Sequence, residues 1–280
     1  MKIGVIDVGG GLRGSFGAGV LDYCLDQNIQ FDYAIGVSAG AANCASYIAG
    51  QRGRNYEFYT NYFERWQYMS VKNLLHTGSY IGLDYIYSSL SDHDGDYPLD
   101  WQAIKNDSRG IAIVATDANT GKAHYFYKSD MCQDNYDPIK ASCCVPVINR
   151  PYEIDNVPYY DGGLSDPVPY KKAFNDGCDK VVVILTRPQD FRRIPKNDKV
   201  ISDLLKRHYP NASTAMAQRS HVYNKSVDAC QELEKEGKVC IIAPDSIGKM
   251  KTLTKDKDTI IALYEKGYEA GKLLIEKNFI

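Results

Sequence analysis

Tyr33-Ala34-Ile35-Gly36-Val37-Ser38-Ala39-Gly40-Ala41-Ala42-Asn43-Cys44-Ala45 is the stretch whose reading decides the fold. A short apolar run enters Gly36-Val37-Ser38-Ala39-Gly40, and a run of small residues leaves it. That is strand, sharp turn and helix, with one serine at the apex. Gly36 and Gly40 let strand and helix approach without a Cβ clash. The turn pushes the Ser38 hydroxyl outward at the positive end of a helix. This is the nucleophile-elbow pattern of serine acyl hydrolases, in the strand-turn-helix context the pattern requires. The same letters also fit a Gly-rich helix start with serine as N-cap, so the rest of the chain must choose.

A second motif stands upstream. Gly9-Gly10-Gly11-Leu12-Arg13-Gly14 follows the apolar strand Ile3–Val8 and precedes a helix with Ala18, Leu21 and Leu25 on one face. Read as G-x-G-x-x-G it matches a dinucleotide fingerprint, which needs an acid at the end of the second strand. Here the second strand ends in the serine elbow, and Asp32 stands at its beginning. No Gly-Lys-Ser/Thr closes the loop, which excludes a P-loop. Consecutive glycines at a helix N-terminus instead expose backbone N–H groups to an anion. In acyl transfer that anion is the tetrahedral oxygen, and one such donor is worth about 2.7–4 kcal/mol of barrier. A third motif, Asp161-Gly162-Gly163, follows Val157-Pro158-Tyr159-Tyr160. Alone it reads as a hairpin turn; with the other two it reads as an aspartate at a strand end, aimed across an open site.

These three motifs in this order resemble the patatin-like phospholipase family, over about residues 3–185. Ala115-Thr116-Asp117-Ala118-Asn119-Thr120-Gly121 and Ala141-Ser142-Cys143-Cys144-Val145-Pro146 are similar to further segments of that family. The resemblance implies a three-layer α/β/α sandwich with a mixed central sheet. It implies a Ser-Asp dyad, with Ser38 as nucleophile and Asp161 as base. Backbone amides of Gly9, Gly10, Gly11 and Ala39 would form the oxyanion hole, with Gly14, Gly36, Gly40, Gly162 and Gly163 as motif glycines. The implied substrates are acyl esters of phospholipids, lysophospholipids or other lipids. A carboxylesterase for small soluble esters and a non-catalytic binding domain built on the Gly-rich loop are the rival readings. Arg13 is read either as a cation for a lipid phosphate or as a surface arginine paired to a carboxylate.

Composition bounds the remainder. The 280 residues can bury the core of one domain, and 1–280 is read as one. A formal net charge of −2 encodes no strong attraction to nucleic acid. Transient contact with a membrane surface is expected for a lipid substrate, and no run is long enough to span one. Met1-Lys2-Ile3-Gly4-Val5 leads directly into a strand rather than a signal peptide. Seven of the eight cysteines lie mostly in apolar context, with Cys132 as the exposed one; with no Cys/His metal spacing, they suit reduced thiols in a cytoplasmic protein. No cofactor and no metal are expected: Ser91-Asp92-His93-Asp94-Gly95-Asp96 lacks the EF-hand ligand pattern.

Strands are predicted at Ile3–Val8, Ile111–Thr116, Ala123–Tyr127, Val181–Thr186 and Val239–Ala243. Helices are predicted near 15–28, 39–50, 54–65, 167–177, 213–235 and 256–276, an α/β pattern. Residues 51–101 are rich in tyrosine, with Phe58, Phe63, Trp66 and Trp101. They read equally as an aromatic subdomain packed on the sheet and as a helical cap over an acyl-chain groove. His208 and His221 follow Asp161 in chain order but sit in polar stretches without the turn that presents a catalytic imidazole.

Overall fold

Alternation along the strands divides the molecule into two cores. Val5, Ala34, Ile111, Ile113, Val182 and Ile184 belong to one, while Ile6, Ile35, Val37, Ala112, Val114, Val181 and Val183 belong to the other. Strand side chains point to opposite faces in turn, so both faces of this sheet are covered. The structure is a computed structural model that describes residues 1–280, the side chain of Asn197 excepted.

The strands are β1 (Ile3–Asp7), β2 (Tyr33–Val37), β3 (Gly110–Asp117), β4 (Ala123–Tyr127), β5 (Tyr152–Ile154), β6 (Val157–Asp161), β7 (Lys180–Ile184) and β8 (Val239–Ile242). Their order is β5-β6-β3-β2-β1-β7-β8, with β4 also on β3. The run from β3 to β8 is parallel; β4, β5 and β6 make the antiparallel part. The helices are α1 (Ser15–Asp26), α2 (Ala39–Ile48), α3 (Arg54–Thr60), α4 (Val71–Thr77), α5 (Trp101–Asn106), α6 (Asp137–Ser142), α7 (Tyr170–Asn175), α8 (Pro195–Leu205), α9 (Pro210–Lys235), α10 (Lys257–Ala270) and α11 (Leu273–Glu276). Residues of α1, α2 and α10 pack in the first core; residues of α7 and α9 pack in the second. The architecture is therefore a mixed sheet between helical layers, as expected.

One detail of register positions the site. β2 pairs with β3 as far as Val37 opposite Val114. β4 pairs with residues 112–116 of β3 and so occupies its other edge. β6 pairs with residues 115–117 and must therefore lie on the β2 edge, with Asp161 opposite Ala115. Where β2 stops, β6 takes over the same edge. The chain positions after Val37 and at Asp161 thus meet end to end.

Several elements differ from expectation. The helix expected over 54–65 ends at Thr60 and gives way to a 3-10 turn at Tyr62–Glu64. The one expected over 256–276 divides into α10 and α11. The helix expected from 213 starts at Pro210, where the missing proline N–H costs nothing in the first turn. α8 departs from the predicted elements: past Pro195 its first turn, Lys196-Asn197-Asp198, carries no apolar residue to start a helical stripe. β5 was not anticipated either, being three residues held by its hairpin with β6. Seven cysteines are buried and Cys132 is exposed, all as free thiols.

Candidate active site

Ser38 stands at the end of β2 with φ 56° and ψ −133°, close to a backbone region that only glycine occupies at ease. The strain is held from three sides. The Ser38 amide donates to Ser142 Oγ at 2.8 Å, and that hydroxyl donates to the Val114 carbonyl at 2.6 Å. A Cβ at Gly40 would sit 2.1 Å from the Asp7 carbonyl oxygen, and one at Gly36 2.3 Å from Ala41 Cα. Any larger residue at either position would push the elbow off the sheet.

Asp161 ends β6 and is buried, 6 % exposed, beside Ser38 at 7 %. Its Oδ1 accepts from the Gly163 amide at 2.7 Å, its own amide donates to the Cys144 carbonyl at 2.7 Å, and its carbonyl accepts from Thr116 Oγ1 at 2.9 Å. Ser142 and Cys144 belong to one short segment, which thereby braces both Ser38 and Asp161. Burial raises the Asp161 carboxyl above the usual carboxylate range; the Arg219 charge, the Ser38 side chain and the Gly163 amide pull it back. A raised carboxyl is a better base than a free one, provided it remains ionised.

The Gly-rich loop lies against the elbow: a Cβ at Gly9 would be 2.2 Å from the Val37 carbonyl oxygen and 2.9 Å from the Ala39 nitrogen. Its glycines have different tasks. The Gly9 amide donates to Asp7 Oδ1 at 2.8 Å, and its carbonyl accepts from Thr186 Oγ1. Gly9 is therefore corrected from oxyanion donor to anchor, because its N–H is already committed. The amides of Gly10, Gly11 and Ala39 donate to no protein acceptor among the described residues.

The anchor is part of a buried network. Asp7 Oδ2 accepts from Asn43 Nδ2 at 2.7 Å; the same Nδ2 donates to the Gly14 carbonyl at 2.9 Å, and Tyr59 Oη donates to Asn43 Oδ1 at 3.2 Å. Burial pushes the Asp7 carboxyl up to about 6, against the pull of its Asn43 and Gly9 hydrogen bonds. This network ties the Gly-rich loop to the helix that follows Ser38. Asp7 and Asn43 fall within or beside the motifs, yet their spacing alone gave them no role.

The aromatic segment closes over Ser38. Tyr59, Tyr68, Met69, Leu83, Ile86 and Tyr87 line a narrow cavity of about 60 Å³ together with Ser38, Leu12 and Cys143. None of its lining residues carries a formal charge. The segment packs in the first core and also lines a slot at the serine.

Arg13 is not a surface residue and, among the described residues, pairs with no carboxylate. It is 5 % exposed, and its Nη1 donates to Thr252 Oγ1 at 2.8 Å. The Thr252 carbonyl accepts from the Leu12 amide at 2.9 Å, so a residue late in the chain clamps the loop. His76, His93, His124, His208 and His221 are all exposed. His93 pairs with Asp134 at 2.6 Å.

The chain belongs to the patatin-like phospholipase family, whose model matches residues 8–174. A second model, a domain of unknown function (DUF6363), matches residues 209–278. A curated relative, the uncharacterized protein YjjU of Escherichia coli (strain K12), is 30 % identical over 198 residues. That match covers 70 % of this chain and 55 % of YjjU, so the chain spans about half the length of this relative. Among solved structures, VipD from Legionella pneumophila is similar at a TM-score of 0.51 and 12 % identity, over 99 % of this chain and 67 % of VipD. That likeness concerns the fold. No helix among the described residues is long and apolar enough to cross a membrane.

Proposed function

We infer that the protein is a serine hydrolase of acyl lipids working through a Ser38–Asp161 dyad. The observation that carries this reading is the handover from β2 to β6 on one edge of β3, which sets the strained serine beside a buried carboxylate. Asp161 takes the Ser38 proton as Oγ attacks the ester carbonyl. The amides of Gly10, Gly11 and Ala39 receive the oxyanion, at the N-termini of the 3-10 turn Gly11–Gly14 and of α2. The alcohol leaves, protonated by Asp161, and an acyl-serine remains. Asp161 then takes a proton from water as its oxygen attacks the acyl-serine, and returns that proton to Ser38 Oγ as the carboxylic acid leaves.

The apolar slot suits the acyl chain. Val71, Leu74 and Leu75 are exposed on α4, close in sequence to the slot residue Met69, and suit transient contact with a lipid surface. Free cysteines suit a reducing compartment such as the cytoplasm. The narrowness of the slot favours a second reading, a carboxylesterase of short esters; the dependence of kcat/KM on acyl length separates the two.

The test is covalent labelling. A fluorophosphonate is expected to modify Ser38 stoichiometrically, with the adduct mapped by peptide mass. A folded, unlabelled protein, or a label on another residue, overturns the reading.

A further inference from the structure

Four arginines converge beside the dyad from distant parts of the chain. Arg13 comes from the Gly-rich loop, Arg187 and Arg193 from the segment between β7 and α8, and Arg219 from α9. The vacant Cβ position of Gly10 is 2.7 Å from Arg13 Nη2, and that of Gly163 is 3.3 Å from Arg219 Nη2. The cluster thus touches both the expected oxyanion loop and the turn that holds Asp161. Arg193 lies over the Tyr223 ring at 5.7 Å. Arg187 lies over Phe191 at 4.2 Å, whose ring is 6.2 Å from that of Tyr223.

These charges are undercompensated. Asp198 is 3.3 Å from Arg193 Nη2 and 3.9 Å from Arg219 Nη1. Asp161 is the second carboxylate that Arg219 feels. The Nε atoms of all four arginines are buried without a partner. Among the described residues, the guanidinium groups of Arg187 and Arg219 donate no hydrogen bond within the chain. Burial, then repulsion from Arg187 and Arg193, pushes Arg13 down to about 9; burial, then repulsion from Arg193, pushes Arg219 down to about 10. Arg13 is buried and the other three are partly exposed, so like charges gather where water is scarce, which is costly unless something pairs them.

We propose that Arg13, Arg187, Arg193 and Arg219 form a binding site for a phosphate monoester dianion beside Ser38 and Asp161. Four cations against two carboxylates accommodate two further negative charges, which a phosphodiester or a carboxylate does not supply. Guanidinium forks match phosphate oxygens, and the unpartnered N–H groups are the donors such a group needs. Beside an uncharged slot, the site selects an acyl ester of a phosphorylated alcohol, with the acyl chain among the tyrosines and the phosphate on the arginines. As a substrate subsite it rests on the hydrolase reading above. Three of the four arginines lie outside residues 8–174, so the family's matched region does not contain the site.

The experiment is calorimetric titration of the Ser38→Ala protein with inorganic phosphate at constant ionic strength. Saturable one-site binding is expected, weakened at least tenfold by adding Arg187→Gln and Arg219→Gln, and not displaced by chloride. Absence of saturable binding, or affinity unchanged in the arginine variants, overturns the site. Should the combined variant fail to fold, Arg187→Gln alone, which loses no hydrogen bond, is expected to weaken binding at least threefold. A second arm titrates monomeric 1-acylglycerol 3-phosphate. Binding tenfold tighter than inorganic phosphate supports the substrate headgroup; equal affinity overturns that assignment and leaves a site for free phosphate. Because Ser38→Ala carries the binding measurement, failed fluorophosphonate labelling of the unsubstituted protein would remove the hydrolase reading and leave the phosphate result standing.

Discussion

Residues 8–174 and residues 209–278 contribute to the candidate site in different ways. The first region supplies backbone: glycines that admit close approach, a serine at positive φ and an aspartate at a strand end. The second supplies side chains from ordinary elements, with Arg219 on a long helix and Thr252 on a loop before α10. It also adds β8 to the sheet beside β7. Chemistry that needs an unusual backbone restricts residue types at fixed spacing and leaves a motif. Chemistry that needs only a charge or a hydroxyl at a point in space restricts one residue at a time and leaves none. The second region thus packs against the candidate site without a motif to announce it.

The largest test breaks the comparison outright. On the proposed dyad, Ser38→Ala and Asp161→Asn are each expected to lower kcat for ester hydrolysis by roughly a thousandfold or more, and the double variant to be no worse than either, as for two residues that act as one unit. Multiplying losses, or substantial turnover by folded Ser38→Ala, would move the chemistry away from the first region.

A smaller effect probes how the second region tunes the first. Asp161 must be ionised to accept a proton, so kcat/KM falls as pH drops through its pKa, by about tenfold per unit below the midpoint. Burial raises that carboxyl, so the midpoint is expected above the ordinary carboxylate value of about 4. The Arg219 charge lowers it, so Arg219→Gln is expected to move the acid limb to higher pH, measured with a neutral ester. An unmoved limb would uncouple α9 from the dyad.

Thr252→Val removes the hydroxyl that accepts from Arg13 but leaves the carbonyl that holds the Leu12 amide. The loss of one hydrogen bond to a charged group, about 1.5–3 kcal/mol, is expected to cut kcat/KM between about tenfold and a hundredfold. Full retention of the rate would make the clamp a packing contact only. The least change is expected from His208→Ala and His221→Ala, whose exposed rings are not hydrogen-bonded to Ser38 or Asp161 among the described residues. Each variant is expected to stay within about twofold of the unsubstituted rate, with the acid limb of the pH profile unmoved. A thousandfold loss in either would put a histidine into the mechanism.

By itself the sequence determined what is local. Strand-turn-helix at Ser38, the glycine loop and the aspartate turn were all readable because their backbone demands restrict residue type within a few positions. The α/β class followed from alternating apolar runs, and the seven sheltered cysteines from their apolar neighbours. Helix ends were less readable, as α3 stopping at Thr60 and the division of α10 from α11 show.

Tertiary structure alone decided what meets what. The register of β3 brings Ser38 and Asp161 together across more than a hundred residues of chain, and no spacing rule carries that distance. The commitment of the Gly9 amide to Asp7 depends on which carboxylate faces the loop, and it separates an anchor from the free amides beside it. The gathering of Arg13, Arg187, Arg193 and Arg219 was equally invisible, because each stands in a different element with unremarkable neighbours. Long-range electrostatics has no sequence period: a charge acts on whatever the fold brings within a few ångströms, and only the folded chain determines which groups those are.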